Sequence, residues 1–103
     1  MNDHKLMELA AKAVGMEYPH ILKNGGRVWD PRTDDGDALR LAAELYLVVA
    51  VIKATHEKPA FTAVYHFNGP EHVTEDHGNN ANAATRLAIV RAAAAIGETM
   101  CEK

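Results

Sequence analysis

The sequence predicts an α/β fold, a three-layer α/β/α sandwich around one mixed sheet. Residues 47–52 are apolar at every position and mostly β-branched, which is typical of a central strand covered on both faces. Three other segments carry apolar residues at helical spacing. At 103 residues the chain has room for a single domain, residues 1–103. The expected order of elements is α-β-β-α-β-β-β-α.

The helices are predicted from their apolar stripes and from the residues that flank them. Asp3 is the candidate N-cap of the first helix, and Gly15 is its stop signal. The second helix follows an acidic loop whose carboxylates suit the positive end of a helix dipole. The three helices are expected over residues 4–14, from the acidic loop to about residue 45, and over residues 81–98.

The four remaining strands are predicted as two pairs, each joined by a turn. Asn and Gly tolerate the positive φ of a tight hairpin, and Pro ends a strand. The first pair is residues 17–23 and 27–29 around Asn24-Gly25-Gly26, and the second is residues 60–67 and 72–75 around Asn68-Gly69-Pro70.

The charge and the cysteine content limit the partners and the cellular compartment that are expected for the protein. The net charge of −3, with Lys and Arg scattered along the chain, argues against binding to duplex nucleic acid. The single cysteine, Cys101, cannot form an internal disulfide. The N-terminal segment is charged and unlike a signal peptide, and the apolar run 45–52 is too short to span a bilayer. A cytoplasmic protein without a membrane partner is therefore expected.

Two stretches of the chain resemble a family of small bacteriophage and prophage proteins. Residues 29–42, WDPRTDDGDALRLA, resemble the family segment WNPLTDDGDALRLA, and residues 84–94, ATRLAIVRAAA, resemble the segment ATRRAIVRAAA near the family's C-terminus. Asp30 stands where the family has Asn, and Leu87 stands where a second Arg is usual. The resemblance implies a phage αβα-sandwich domain and a phage setting, and it implies no particular activity.

The acidic box Asp34, Asp35 and Asp37 has two interpretations. Alternating carboxylates suit Ca²⁺ or Mg²⁺, but three acids without a terminal Glu fall short of an EF-hand loop. The other interpretation is that the box caps the second helix and forms salt bridges to Arg40, Arg86 or Arg91, with a structural role at that helix for Asp35 or Asp37. Capping is the favoured interpretation, and a functional surface is a third. Pro31 and Trp29 would fix the angle at which the chain enters this helix.

A ligand site is predicted where the last helix begins. Its first turn lacks acids, so its free N–H groups can receive a phosphate near Asn79, Asn80 and Thr85, with Arg86 adding charge. Trp29 can stack on a base there. The alternative is that Asn caps the helix, Arg86 is buried against the acidic box and Trp29 fills the core.

The histidines offer a second candidate site. His66, His72 and His77 lie near Glu71, Glu75 and Asp76, but their spacing matches no zinc motif, so a solvated hairpin is favoured. No catalytic motif is present, so we expect neither an enzyme nor a cofactor. A small metal-dependent enzyme using this group or the acidic box is the alternative.

The functional hypothesis is a non-enzymatic phage accessory protein that acts on a host system in the bacterial cytoplasm. Counter-defence is one such role, either by binding a nucleotide-like signal or by masking a host protein. The sequence leaves room for a homo-oligomer. A structural role in the virion is less favoured, because the chain shows neither a coiled coil nor repeats.

Overall fold

The computed structural model describes residues 2–16, 18, 29–66 and 72–101. Within these ranges the chain forms three helices and one three-stranded sheet. In order they are α1 (Asp3–Ala13), α2 (Asp35–Glu44), β1 (Leu47–Ile52), β2 (Phe61–His66), β3 (His72–Asp76) and α3 (Ala81–Cys101). The expected α/β fold class is confirmed. The predicted strand 17–23 and the turn 68–70 fall outside the described residues, except that Tyr18 lies in a bend. In the predicted strand 27–29 only Trp29 is described, and it is not in a strand.

The first helix begins one residue earlier than the sequence suggests. Asn2, not Asp3, is its N-cap, because the Asn2 Oδ1 accepts a hydrogen bond from the Lys5 N–H at 2.8 Å. Asp3 lies in the first turn, where its charge suits the helix dipole. The helix ends before Gly15, whose φ of +76° is in the region that favours glycine.

The sheet has the strand order β1-β2-β3, and both pairs are antiparallel. The mixed sheet that the sequence suggests is not seen in the described strands. Val64 is opposite Val49 on β1 and Val73 on β3, so these three side chains share one face. Val64 and Val73 are buried, and Val49 packs against the same core. This face is the one that α3 covers.

The interior position predicted for strand β1 is not confirmed: among the described strands β1 is an edge. Val51 is 60% exposed and Ile52 is 39% exposed. An all-apolar strand favours burial of both of its faces, but both are buried only if other elements pack on each of them. No described helix lies on the second face, and the packing of helices on a sheet depends on long-range contacts that the composition of the strand does not encode.

The helices of the described chain all lie on one side of the sheet. α3 contacts all three strands, whereas α1 contacts α3 and none of the strands. α2 contacts both α3 and β1, which places it on the same side as α3. The layer order is therefore sheet, then α3, then α1. The α/β/α order, with helices on both faces, is not observed in these residues, and none of their helices is long and apolar enough to cross a membrane.

The packing of α1 on α3 depends on small residues. A Cβ atom added at Gly97 would lie 1.9 Å from the backbone oxygen of Leu9, which is far inside van der Waals contact. Ala10, Ala11 and Ala93 are also fully buried. The two helix backbones therefore approach closely, and the Ala-rich composition of α3 allows the sheet to pack against its other side.

Candidate functional site

The segment before α2 forms a turn held by its own side chains. Asp34 is the N-cap of α2, and its Oδ2 accepts a hydrogen bond from the Asp37 N–H at 2.7 Å. The carboxylate of Asp30 accepts bonds from the Arg32 N–H at 3.2 Å and from the Thr33 hydroxyl at 2.8 Å. Pro31, which lies between Asp30 and Arg32 in the sequence, is buried. This segment therefore encodes the entrance of a helix.

Asp37 is the most buried carboxylate of this segment. It is 1% exposed, and its Oδ2 accepts a hydrogen bond from the Asp30 N–H at 2.8 Å. Its Oδ1 accepts a bond from Arg40 at 2.9 Å. Asp34 is therefore the residue of the acidic box that caps α2, and Asp37, one of the two residues expected to have a structural role at this helix, ties the preceding loop to it.

The arginines join this segment to the other helices. Arg86 of α3 donates from Nε to the Arg32 backbone oxygen at 2.8 Å and from its terminal nitrogen to Asp35 at 2.5 Å. Arg32 in turn forms an ion pair with Asp3 of α1 at 2.7 Å. Arg91 pairs with Glu75 of β3 and not with the acidic box. The salt-bridge interpretation of the acidic box thus has direct partners in Arg40 and Arg86.

The predicted phosphate site at the start of α3 is occupied by contacts within the protein. The Asn80 side chain accepts a hydrogen bond from the Ala83 N–H at 2.9 Å, as an N-cap does. The Thr85 hydroxyl lies 2.8 Å from the hydroxyl of Thr62, which is fully buried and also lies 2.8 Å from His77 Nε2. Asn79 is exposed beside Asn80. Asn80 therefore caps α3, and the contact between Thr85 and Thr62 joins the first part of this helix to β2.

Trp29 is not part of that cluster. It is 6% exposed and belongs to the hydrophobic core with Met7 and Leu41. The two clefts that it lines, of about 350 and 370 Å³, include residues of α1, α2 and the loop between them but none of Asn79, Asn80, Thr85 and Arg86. The structure therefore places Trp29 apart from the other four residues of the predicted ligand site.

The three histidines do not converge. His66 is opposite Leu47, on the face that α3 covers, whereas His72 is opposite Tyr65 on the other face. The His72 ring stacks on Tyr65 with centroids 4.6 Å apart, and His77 contacts Thr62. Glu71 lies outside the described residues. Nowhere in the described ranges do three His, Cys, Asp or Glu side chains form a group able to hold a metal ion.

The feature that the sequence analysis missed is the second face of the sheet. We call it the open face, because no described helix lies on it. Its central side chains come from alternate positions of the two paired strands and are all partly exposed: Val48, Ala50 and Ile52 of β1, and Phe61, Ala63 and Tyr65 of β2. The exposed side chains of β3 that border it are His72, Thr74 and Asp76.

The alternation of polar and apolar residues along β2 is a sequence feature that indicates this face. Thr62 and Val64 face the core, whereas Phe61 and Tyr65, the larger apolar residues, face outward. A polar Thr is tolerated inside because His77 and Thr85 satisfy its hydroxyl. Strand β2 therefore turns its larger apolar side chains onto the face that no described helix covers.

Comparison with protein-family models, with curated proteins and with solved structures finds no match to this chain.

Proposed function

We propose that this chain is a non-enzymatic phage accessory protein that binds a host protein through the open face of its sheet. The observation that carries the proposal is the open face itself. Apolar side chains of β1 and β2 form its centre, and the polar side chains of β3 form one border. A contiguous exposed apolar patch with a polar rim is typical of protein-binding surfaces.

The alternative of nucleotide binding has less support from the same geometry. Arg86 already donates to Asp35 and to a backbone oxygen, and Asn80 already caps α3. A phosphate at this position would have to displace a charged hydrogen bond before gaining one of its own. The host-protein form of the hypothesis needs no such exchange, since the open face is accessible as it stands. We place this activity in the host bacterial cytoplasm.

The test is capture of bacterial proteins on the immobilised chain, with two matched variants. Ala63→Lys places a charge at the centre of the open face, whereas Leu39→Lys places the same charge on an exposed position of α2. We expect a specific bacterial protein to be retained by the wild type and by Leu39→Lys and to be lost from Ala63→Lys. The retained protein is then purified and its affinity for each variant is measured by calorimetry.

Two results would contradict the proposal. One is equal affinity of the captured protein for Ala63→Lys and the wild type, which would place the contact elsewhere. The other is no specific capture together with a rise in melting temperature on adding a nucleotide or cyclic dinucleotide. Such a rise follows RT ln(1 + [L]/Kd) and reaches about 2.7 kcal/mol at a hundredfold excess over Kd.

A further inference from the structure

The two edges of the described sheet differ in how they are protected. Edge strands usually carry charges, Pro or bulges that prevent pairing with another chain. Strand β3 has Glu75 and Asp76 within five residues, whereas β1 has no charge, Pro or Gly in its six. In the described chain β1 therefore presents an uncharged edge, and its end at Val51 and Ile52 is exposed.

We propose that β1 pairs antiparallel with β1 of a second copy of this chain, joining the three described strands of each copy into one continuous sheet in a twofold dimer. A twofold axis perpendicular to the sheet makes the two strands antiparallel and leaves the same face of each copy on the same side. Opposite residues in such a pair share a face, which requires one residue of β1 to lie opposite itself. The two registers that pair the most residues of β1 place Val49 or Ala50 in that position.

The charges at the ends of β1 favour this orientation. Glu44 ends α2 just before β1, and Lys53 directly follows it, with both side chains exposed. Antiparallel pairing brings the Lys53 end of one copy to the Glu44 end of the other at both ends of the contact. Parallel pairing would set like charges side by side. The uncharged middle of the strand adds no repulsion in either register.

The dimer would join the two open faces into one surface, but it does not depend on the function proposed above. A contact made by one six-residue strand from each copy falls at the low end of interface sizes, below about 1,200 Å² in total. We therefore expect a reversible dimer that dissociates on dilution.

Sedimentation of the purified chain over a roughly hundredfold range of concentration tests the proposal, because a reversible dimer follows mass action. Ala50→Lys is the disruptive variant. It places the introduced lysine side chains of the two copies directly opposite each other when position 50 pairs with itself, and two residues apart when Val49 pairs with itself. Ala63→Lys is the matched control: Ala63 is the cross-strand partner of Ala50, on the same face but one strand inward. Circular dichroism melts establish that both variants are folded.

The wild type and Ala63→Lys should show a concentration-dependent dimer. Ala50→Lys should weaken it by roughly tenfold, which corresponds to about 1.4 kcal/mol. A wild type that remains monomeric throughout would overturn the proposal. So would equal weakening by both variants, because the contact would then be the open face and not the edge. Loss of host-protein capture by Ala63→Lys, with dimerisation intact, separates the two proposals.

Discussion

The carboxylate of Asp37, inside α2, accepts a hydrogen bond from the backbone N–H of Asp30, seven residues earlier in the loop before the helix. The distance is 2.8 Å, and the Asp37 side chain is buried. The same carboxylate binds Arg40 one turn later. One side chain thus joins the loop, the first turn of α2 and the Arg40 guanidinium.

Asp37→Ala should be the most destabilising change in the acidic box. It leaves the Asp30 N–H without this acceptor and removes the closer of the two carboxylates that pair with Arg40, and such a loss costs roughly 1–3 kcal/mol. Asp37→Asn keeps an oxygen for the Asp30 N–H and should lose less. Urea unfolding measures the difference, and Asp35→Ala is the comparison variant, because it removes only an exposed carboxylate that pairs with Arg86. Equal stability of the Ala and Asn variants would argue against the backbone bond as the main contribution.

Asp34→Ala should cost about 1 kcal/mol of unfolding free energy, because it removes the N-cap of α2. Asp34→Ser retains a capping oxygen and should recover most of the loss. Thermal melts with EDTA and then with Ca²⁺ or Mg²⁺ complete the test. If the acidic box only caps and pairs, neither addition changes the melting temperature. A fall with EDTA that Ca²⁺ reverses would establish a cation site in its place.

The sequence predicts local structure here better than it predicts what covers each surface. The three helices follow from apolar stripes, and the pairing of Asp35 with Arg86 was among the expected partners of the acidic box. Strand β1 shows the limit: its composition demands burial, but whether helices reach one face or two depends on where α1 packs. Since α1 packs on α3, the second face of the sheet has no described helix on it.

The ligand-site prediction illustrates a related limit. An acid-free helix start with Asn, Thr and Arg is compatible with a phosphate or with contacts inside the protein. Only the fold reveals that the buried Thr62 hydroxyl lies beside Thr85, which is 23 residues away in sequence. A contact over this distance along the chain leaves no local pattern to recognise.

Gly97→Ala should destabilise the protein by roughly 1–3 kcal/mol, the usual cost of overpacking a core. The added methyl would meet the Leu9 backbone oxygen of α1, and backbone cannot move aside as a side chain can. Gly36→Ala in α2 is the matched control. Its Cβ would meet only the far ends of the Arg40 and Asp34 side chains, at 3.1 and 3.2 Å. Chemical denaturation should show a smaller loss for Gly36→Ala than for Gly97→Ala, although the Asp34 oxygen at Gly36 is the N-cap acceptor of α2. A tolerated Gly97→Ala would contradict the close helix approach.

Arg86→Ala separates a structural arginine from a ligand-binding one. The side chain is 16% exposed and donates both to Asp35 and to the Arg32 backbone oxygen, so its removal unties α3 from the loop before α2. Hydrogen bonds to charged groups contribute about 1.5–3 kcal/mol, and we expect a loss in that range. Arg91→Ala is the control, because its pair with Glu75 is more exposed, at 47% for the arginine, and exposed pairs contribute at most about 1 kcal/mol. Each variant is melted first and then titrated with nucleotides at a temperature where it is folded. A folded, undiminished Arg86→Ala that has lost nucleotide binding would restore the phosphate site, whereas a destabilised variant with no change in ligand response assigns Arg86 to the fold.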